Sequence, residues 1–321
     1  MSQSVTPSEE LRTYLEYAVL VAREAGAIIK DVFYSKSTSL HIKDQNPTDL
    51  VTATDQLVEK LVFGKLKEKY PQHKFVGEET TASGEAWKLS EEPTWIVDPI
   101  DGTTNFVHGF PFVAVSIGLA INKEPVVGVV YNPILDELYT GAKGLGAHLN
   151  GAILPLTQPN IPPLPDLAHC LFVTEYGADR LPSVINPKVS SIHRMAAENT
   201  KDSPGGRVRG IRSTGSAALN LCMLARGGSD IYWEIGVHVW DIAAAMVVLQ
   251  ESGGLVVDGT GRWGVASSQW SQELRNKNVN ILGRKVLGIR ASGDGLENSY
   301  RILEQALSLF EDLEVEHDGS Q

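Results

Sequence analysis

The sequence predicts an α/β protein of mixed α+β type, organised in two lobes. Its composition, 42% hydrophobic and 21% charged, is that of an ordinary globular protein. A length of 321 residues exceeds the usual size of one domain. Two helix patterns precede a run of strand patterns, and strands then alternate with helices, as expected of a mixed fold. We place the boundary in a proline-rich linker, giving lobes of residues 1–153 and 154–321.

The N-terminal lobe begins with two amphipathic helices. The segment Thr6-Pro7-Ser8-Glu9 is a capping box, and apolar residues then recur at three- and four-residue steps as far as Val32. After a polar loop at 41–49, a second helix has an apolar face from Leu57 to Leu66. Short apolar runs bounded by turn residues predict the strands that follow: Phe75–Val76, Trp95–Val97, Val113–Ile121, Val126–Tyr131 and Glu137–Thr140.

The C-terminal lobe shows alternating strand and helix patterns. The predicted strands are Cys170–Thr174, Ile231–Trp233, Leu255–Val257 and Val279–Leu282. The predicted helices are Ser190–Ala197, Ser216–Ala225, Asp241–Glu251 and Ser299–Phe310. We expect residues 199–209, within a polar segment at 188–209, to be an exposed loop, and the last residues, 314–321, to be frayed.

Charge and cysteine content exclude several classes of protein. A net charge of −11 argues against a nucleic-acid partner. Cys170 and Cys222 lie far apart, which favours buried thiols in a reducing compartment over a disulfide or a zinc site. The acidic start, with Glu9 and Glu10, does not fit a signal peptide, and the apolar stretch 112–121 is too short to cross a membrane. We therefore expect a cytoplasmic protein without a membrane partner.

The most informative segment runs from Asp98 to Asn105. Asp98 and Asp101 lie three residues apart behind an apolar strand, and Gly102-Thr103-Thr104 then begins a helix. An isolated Asp-Pro or Asp-Gly pair is usually only a turn. Paired carboxylates at a strand end, however, suit hard divalent cations, and backbone N–H groups at a helix start suit phosphate. The combination predicts a metal site joined to a phosphate site, and hence phosphoryl chemistry.

Other acidic residues could join this site. Glu78 and Glu79 follow a short strand, and we expect one to be solvated and the other to be a third ligand. Asp241 opens an alanine-rich helix, where it could be an N-cap, a metal ligand or both. Glu234 by itself is typical of a solvated loop acid. His238 is expected not to be a ligand, because hard cations prefer oxygen.

Motifs of other enzyme classes are absent from the sequence. It contains no G-x-x-x-x-G-K-[ST], no G-x-S-x-G and no H-E-x-x-H. The absence of these motifs argues against a nucleoside triphosphatase, a serine hydrolase or a zinc protease.

At this point the motifs resemble the inositol monophosphatase family. Residues 95–106 are similar to its first signature and residues 240–254 to its second. Three shorter segments, 49–55, 77–79 and 210–218, match in the same order. The likeness extends from about Leu15 to Asn280 and so covers most of the chain.

The resemblance implies a layered α-β-α-β-α sandwich, a homodimer, and Mg²⁺-dependent, Li⁺-sensitive hydrolysis of phosphate monoesters with two to three Mg²⁺ ions per site. It implies that the first ion is held by Glu78, Asp98 and the Ile100 carbonyl. The second would be held by Asp98, Asp101 and Asp241. A third, weaker ion would contact Glu78 through water.

The resemblance also implies roles around the ions. Glu78 and Thr103 would activate water, with Asp55 as a further catalytic residue and Lys43 near the weaker ion. The N–H groups of Gly102 and Thr103 would hold phosphate. The remaining substrate contacts, to the inositol hydroxyls and nearby, would be made by Asp101, Ala217, Glu234 and Asp241.

The leading hypothesis is hydrolysis of inositol monophosphate to myo-inositol and phosphate. The alternative is a related phosphatase acting on fructose 1,6-bisphosphate, 3′-phosphoadenosine 5′-phosphate or another sugar phosphate. A non-enzymatic, metal-stabilised scaffold is disfavoured, because the residues it would be expected to lose are all present, namely Glu78, Asp98, Asp101, Thr103 and Asp241.

Overall fold

The structure, a computed structural model, describes residues 7–35, 40–42, 50–267, 271–276 and 279–319. Its helices are α1 Pro7–Ser35, α2 Ala53–Lys69, α3 Glu78–Ala82, α4 Thr103–His108, α5 Pro182–Ala196, α6 Ala217–Arg226, α7 Val239–Glu251, α8 Ser271–Asn276 and α9 Leu296–Leu307. Its strands are β1 Leu40–Ile42, β2 Leu50–Thr52, β3 Lys74–Gly77, β4 Thr94–Asp101, β5 Ala114–Ile121, β6 Glu124–Asn132, β7 Glu137–Ala142, β8 Gly146–Leu149, β9 Ala152–Ile153, β10 Leu171–Thr174, β11 Gly210–Arg212, β12 Ile231–Ile235, β13 Leu255–Asp258 and β14 Lys285–Ile289.

The first large sheet has seven strands in the order β3-β4-β5-β6-β7-β8-β9. Strands β3 and β4 are parallel, and each later pair is antiparallel. Alternate residues of β4 point to opposite faces: Trp95 and Val97 pack with α1 and α2, whereas Ile96 packs with α6 and α7. The sheet is therefore buried on both faces.

The second large sheet has five strands in the order β11-β10-β12-β14-β13. Strand β10 is parallel to β11 and β12, and β14 is antiparallel to β12 and β13. Tyr232 faces the α6 and α7 side, while Trp233 faces the core formed with α9 and Met195 of α5. The layers are thus α1/α2, sheet, α6/α7, sheet, α5/α9, which confirms the predicted α-β-α-β-α sandwich.

Small residues let α7 approach the first sheet closely. A Cβ atom at Gly128 of β6 would stand 2.0 Å from the Ala244 carbonyl oxygen, so only glycine is tolerated there. Alanines 243–245 of α7 are all buried against this surface. The close contact fixes the start of α7, with Asp241, over the end of the sheet where Asp98 lies.

Most predicted elements are present, with differences at their ends and one strand placed wrongly. Val279–Leu282 is not a strand; the strand is β14, Lys285–Ile289, which pairs with both β12 and β13. Helix α5 begins at Pro182 rather than at the predicted Ser190 and covers the first part of the polar segment 188–209. The last described residues are not frayed, since Asp318 is hydrogen-bonded to helix α7.

Other expectations have different outcomes. Cys170 and Cys222 are both buried and unpaired, as predicted. In the described part of the chain, no helix combines the length and apolar character needed to cross a membrane. The division into lobes at residue 154 stays a prediction.

Candidate active site

The end of β4 carries the two aspartates of the central motif. Asp98 and Asp101 are both buried, and the pairing of β4 with β5 shifts register between them. This irregularity lets the backbone N–H of Ile100 donate to Asp98 Oδ1 at 2.9 Å. The predicted strand, turn and helix start are confirmed by the order of β4, Gly102 and α4.

Gly102 occupies a position that requires glycine. Its φ is 92°, and a Cβ there would stand 2.7 Å from the Phe112 carbonyl oxygen and 3.1 Å from that of Gly215. Asn105 holds these two loops together by donating to Phe112 O at 2.8 Å and to Thr214 O at 2.7 Å. The start of α4 is thus fixed beside the loop that leads into α6.

Asp101 joins the first sheet to helix α6. Its Oδ2 accepts from the Ser216 hydroxyl and from Ala218 N at 2.9 Å, and its Oδ1 accepts from Ala217 N at 3.2 Å. The Ala217 and Ala218 N–H groups belong to the first turn of α6 and therefore lack acceptors within the helix. Asp101 and Ala217 are therefore in direct contact, as the family resemblance implies for neighbours in one substrate site.

Asp55 and Thr103 form a second contact at the motif. Asp55 Oδ2 accepts from Thr52 N at 2.9 Å and from Thr52 Oγ1 at 2.5 Å, which closes the start of α2. The Thr103 hydroxyl lies 3.2 Å from Asp55 Oδ1 and 3.0 Å from the Ile100 carbonyl oxygen. Lys43, expected nearby, lies outside the described residues.

Glu78, rather than Glu79, faces the site. Glu78 is the first residue of α3 and lines the same cavity as Asp241. The buried Glu59 of α2 fixes this position, because its carboxylate accepts from Glu79 N at 2.8 Å and from Thr80 N at 2.9 Å. The expectation that one of the two glutamates joins the site agrees with this geometry.

Asp241 is placed by the start of α7. Helix α7 begins at Val239, so Asp241 is its third residue and not its N-cap; the N-cap is His238. The Asp241 carboxylate reaches back and its Oδ2 accepts from His238 N at 2.7 Å. The predicted capping role is therefore wrong in its position, although the side chain does close the helix start.

Burial, and then crowding, raises the pKa values of the aspartates in this site. Burial raises the pKa of Asp98 well above its usual range, and the charges of Glu78, Asp101 and Asp241 add to the effect. Burial raises the pKa of Asp101 to about 7 despite its three hydrogen bonds. Burial and then Asp101 raise the pKa of Asp241, and burial raises that of Asp55 to about 6.

The donor set suits a hard cation. The five acidic side chains of the site offer carboxylate oxygens, and the Ile100 backbone adds a carbonyl oxygen. Oxygen ligands of this kind are the ones that Mg²⁺ prefers. The five are Asp55, Glu78, Asp98, Asp101 and Asp241. Positive charge would relieve the repulsion among them. In the described part of the chain, no three His, Cys, Asp or Glu side chains already stand in a coordinating arrangement. The residues therefore fit the ion in chemistry and charge, with side-chain adjustment needed to surround it.

A cavity of about 1320 Å³ opens beside the carboxylates and is lined in part by Glu78, Glu234 and Asp241. Glu234 is only 7% exposed, and the Tyr232 hydroxyl donates to its Oε2. Burial, followed by the charge of Glu175, raises the pKa of Glu234 to about 8. Glu234 is thus a buried site residue, and the expectation from its local sequence, a solvated loop acid, is wrong.

Lys188 is a site residue that the sequence did not reveal. It lies on α5, is 2% exposed, and lines the same cavity. Its Nζ donates to Tyr176 O at 2.8 Å and to Ile235 O at 2.7 Å, next to Glu234. Burial lowers the pKa of Lys188, and the charge of Glu234 opposes this shift. A lysine in an amphipathic helix carries no local signal that would distinguish it from a surface cation.

Comparisons with known proteins agree with this geometry. A family model described as "Inositol monophosphatase family" matches residues 10–287, which contain every carboxylate of this candidate site. Inositol monophosphatase 1 of Rattus norvegicus is 47% identical over 247 residues, covering 77% of this chain and 84% of that protein. An inositol monophosphatase of Mesembryanthemum crystallinum is 45% identical over 253 residues, covering 78% and 87%.

Solved structures show the same fold. An inositol monophosphatase from Anabaena (Nostoc) sp. PCC 7120 has a TM-score of 0.71 at 29% identity, covering 95% of this chain and 98% of that one. A structure described as inositol monophosphate-bound SaIMPase-II has a TM-score of 0.61 at 26% identity, covering 92% of each chain.

Proposed function

This chain belongs to the inositol monophosphatase family and is a phosphatase, and from that premise we propose that it hydrolyses an inositol monophosphate to myo-inositol and phosphate with bound Mg²⁺. The observation that carries the proposal is the burial of Asp98, Asp101 and Asp241 close to one another and to Glu78 at the end of the first sheet, where the pKa values of the three aspartates are raised. A similar protein indicates the substrate class, since the structure of SaIMPase-II is described as bound to inositol monophosphate.

The ligand assignment is the one that the family resemblance implies, and the closeness of the aspartates to one another supports it. Glu78, Asp98 and the Ile100 carbonyl would hold one Mg²⁺, and Asp98, Asp101 and Asp241 a second, with a third near Glu78. Bound Mg²⁺ supplies Lewis-acid stabilisation of the phosphate oxygens and of the leaving oxygen. Such help matters because uncatalysed hydrolysis of phosphate monoesters is among the slowest of biological reactions.

Residues of this chain would orient the attacking water and accept its proton. An oxygen of water attacks phosphorus, the bond from phosphorus to the inositol oxygen breaks, and the Glu78 carboxylate accepts the proton of the attacking water. Thr103, whose hydroxyl lies between Asp55 and the Ile100 carbonyl, would orient that water. The leaving inositol oxygen takes its proton from solvent.

Substrate positioning involves the other side of the cavity. The first N–H groups of α4, at Gly102 and Thr103, would hold phosphate oxygens. Asp101 and Ala217, already in contact, and the buried Glu234 would bind hydroxyl groups of the sugar ring. With its pKa raised to about 8, Glu234 keeps a proton near neutral pH and can both donate and accept there.

Three further proposals rest on the family alone: inhibition by Li⁺, a homodimer and a cytoplasmic location. Sedimentation equilibrium would test the dimer, with an expected mass of twice the 34.8 kDa chain. A mass of one chain would overturn it.

A substrate panel tests the proposed function. Phosphate release would be measured with inositol 1-phosphate, fructose 1,6-bisphosphate, 3′-phosphoadenosine 5′-phosphate and glycerol 2-phosphate, each with Mg²⁺, with Mg²⁺ plus Li⁺, and with a chelator. We expect the highest kcat/KM for inositol 1-phosphate, with turnover lost in the chelator. A preference for another ester would move the substrate assignment, and turnover that survives chelation would overturn the Mg²⁺ assignment.

A further inference from the structure

The C-terminal tail returns to the active-site cavity. After α9 the chain passes across the second sheet, and residues 313–316 line the same cavity as Glu78 and Asp241. The tail is anchored beyond this wall, because Asp318 N donates to Leu282 O at 2.9 Å. Residues 313–316 and Asp318 all lie beyond residue 287, where the match to the family model ends.

The Asp318 side chain is the main anchor of the tail. It is 5% exposed, although it lies near the end of the sequence. Its Oδ2 accepts from Val239 N at 2.7 Å, and its Oδ1 lies 2.7 Å from His238 Nδ1. Val239 is the first residue of α7, so its N–H has no acceptor within the helix. Asp318 therefore supplies, from outside the helix, an acceptor for the first N–H group of α7.

The imidazole of His238 is held by three neighbouring side chains. Arg284 Nη2 lies 3.1 Å from His238 Nε2, and because arginine can only donate, Nε2 must accept. This assigns the ring proton to Nδ1, which donates to Asp318. The ring also stacks on Trp240, with centroids 4.6 Å apart and planes 10° from parallel.

The same residue connects the tail to the carboxylate site. The backbone N–H of His238 donates to Asp241 Oδ2 at 2.7 Å. Asp318 therefore contacts the His238 side chain, and the His238 backbone in turn contacts Asp241. Asp318 also accepts from the first N–H group of α7, the helix that carries Asp241.

We propose that Asp318 is a positioning residue for Asp241, and that the C-terminal tail is part of the active site. The inference rests on the proposed function for the role of Asp241 as a Mg²⁺ ligand. Groups that orient ligands without touching the metal commonly change metal affinity by about tenfold or more when they are removed.

The test uses two variants and a matched control in the full chain. Asp318→Asn keeps the shape but leaves one acceptor oxygen for two donors, and Asp318→Ala removes both. Asp312→Asn is the control, because Asp312 is a tail aspartate with an exposed ion pair to Lys285. The readouts are hydrogen–deuterium exchange over residues 236–243, the rise in Tm caused by Mg²⁺ without substrate, and the Mg²⁺ concentration for half-maximal turnover.

We expect both Asp318 variants to exchange faster over 236–243 and to need about tenfold more Mg²⁺ for the same rise in Tm and for half-maximal turnover. The alanine variant should show the larger effect and the control none. Faster exchange with unchanged Mg²⁺ requirement would overturn the positioning role, and unchanged exchange would overturn the contact itself. A wild-type chain that Mg²⁺ stabilises but that releases no phosphate would refute the proposed function alone, since the Tm comparison would still decide the role of Asp318.

Discussion

Replacing Asp98 with asparagine should stabilise the metal-free protein while it removes activity. Asp98 lies among four other carboxylates, and its Oδ1 accepts a hydrogen bond from Ile100 N. An asparagine oxygen can keep that bond. The substitution therefore removes charge from the cluster with little loss of packing, which is the expected behaviour of a site that sacrifices stability for function.

The size of the effect follows from proton linkage. The folded-state pKa of Asp98 is raised, so the folded state binds more protons and its stability falls as pH rises above the unfolded pKa near 3.8. At pH 7 the cost is at most about 4 kcal/mol, roughly three pH units at 1.36 kcal/mol each. Part of this is offset by burial of the new amide, which leaves about 1–3 kcal/mol. For 321 residues this is a rise in Tm of about 2–4 °C.

Thermal unfolding with a chelator at pH 7 and at pH 5 checks this prediction. The advantage of Asp98→Asn should be largest at pH 7 and smaller at pH 5, and turnover with Mg²⁺ should fall at least about 100-fold. Asp230→Asn is the matched control with the opposite sign, because Asp230 is paired with the mostly buried Arg290 at 2.5 Å. Its loss should destabilise by about 1–3 kcal/mol. A lower Tm for Asp98→Asn in the chelator would refute the inference that repulsion dominates this cluster.

Two further substitutions test the neighbouring parts of the site. Gly102→Ala should abolish most activity and destabilise the protein more than Gly84→Ala does. Both glycines have a φ of 92°, which alone should cost about 1–2 kcal/mol in alanine, but only at Gly102 would a Cβ meet the backbone, 2.7 Å from Phe112 O. Equal losses of kcat and Tm in the two variants would contradict this. Glu234→Ala should raise KM for inositol 1-phosphate about tenfold, by removing a hydrogen bond to the ring worth about 1.5 kcal/mol, and leave KM for glycerol 2-phosphate nearly unchanged. Equal changes for both esters would show that Glu234 does not bind the ring.

Local sequence patterns predict the elements that hold the site, because the signals are short and strong. The β4 strand and the start of α4 follow from an apolar run, two aspartates and Gly102-Thr103 within one segment. Strand β14 was not predicted, because Val279–Leu282 is as apolar as Lys285–Ile289 and only pairing with β12 and β13 distinguishes them. A single sequence does not contain that pairing.

The site residues show the same division between local and long-range information. Asp98 and Asp101 are recognisable from their spacing, and Glu234 from the family resemblance but not from its own surroundings. Lys188 and Asp318 are not recognisable, because each acts through contacts to segments about 50 or more residues away: Ile235 for Lys188 and Val239 for Asp318. Burial of a lysine or of a tail aspartate is decided by tertiary packing, which no local pattern encodes.

The most direct test of the proposed chemistry is phosphate release from inositol 1-phosphate by Glu78→Gln at saturating Mg²⁺, measured beside Glu79→Gln. Glu78 lines the cavity with Asp241, and its loss should lower kcat by about 10²–10⁴-fold if it accepts the proton of the attacking water. The neighbouring variant should stay within about threefold of wild type. A Glu78→Gln enzyme with wild-type kcat would contradict the assignment of this site as the place where water is activated.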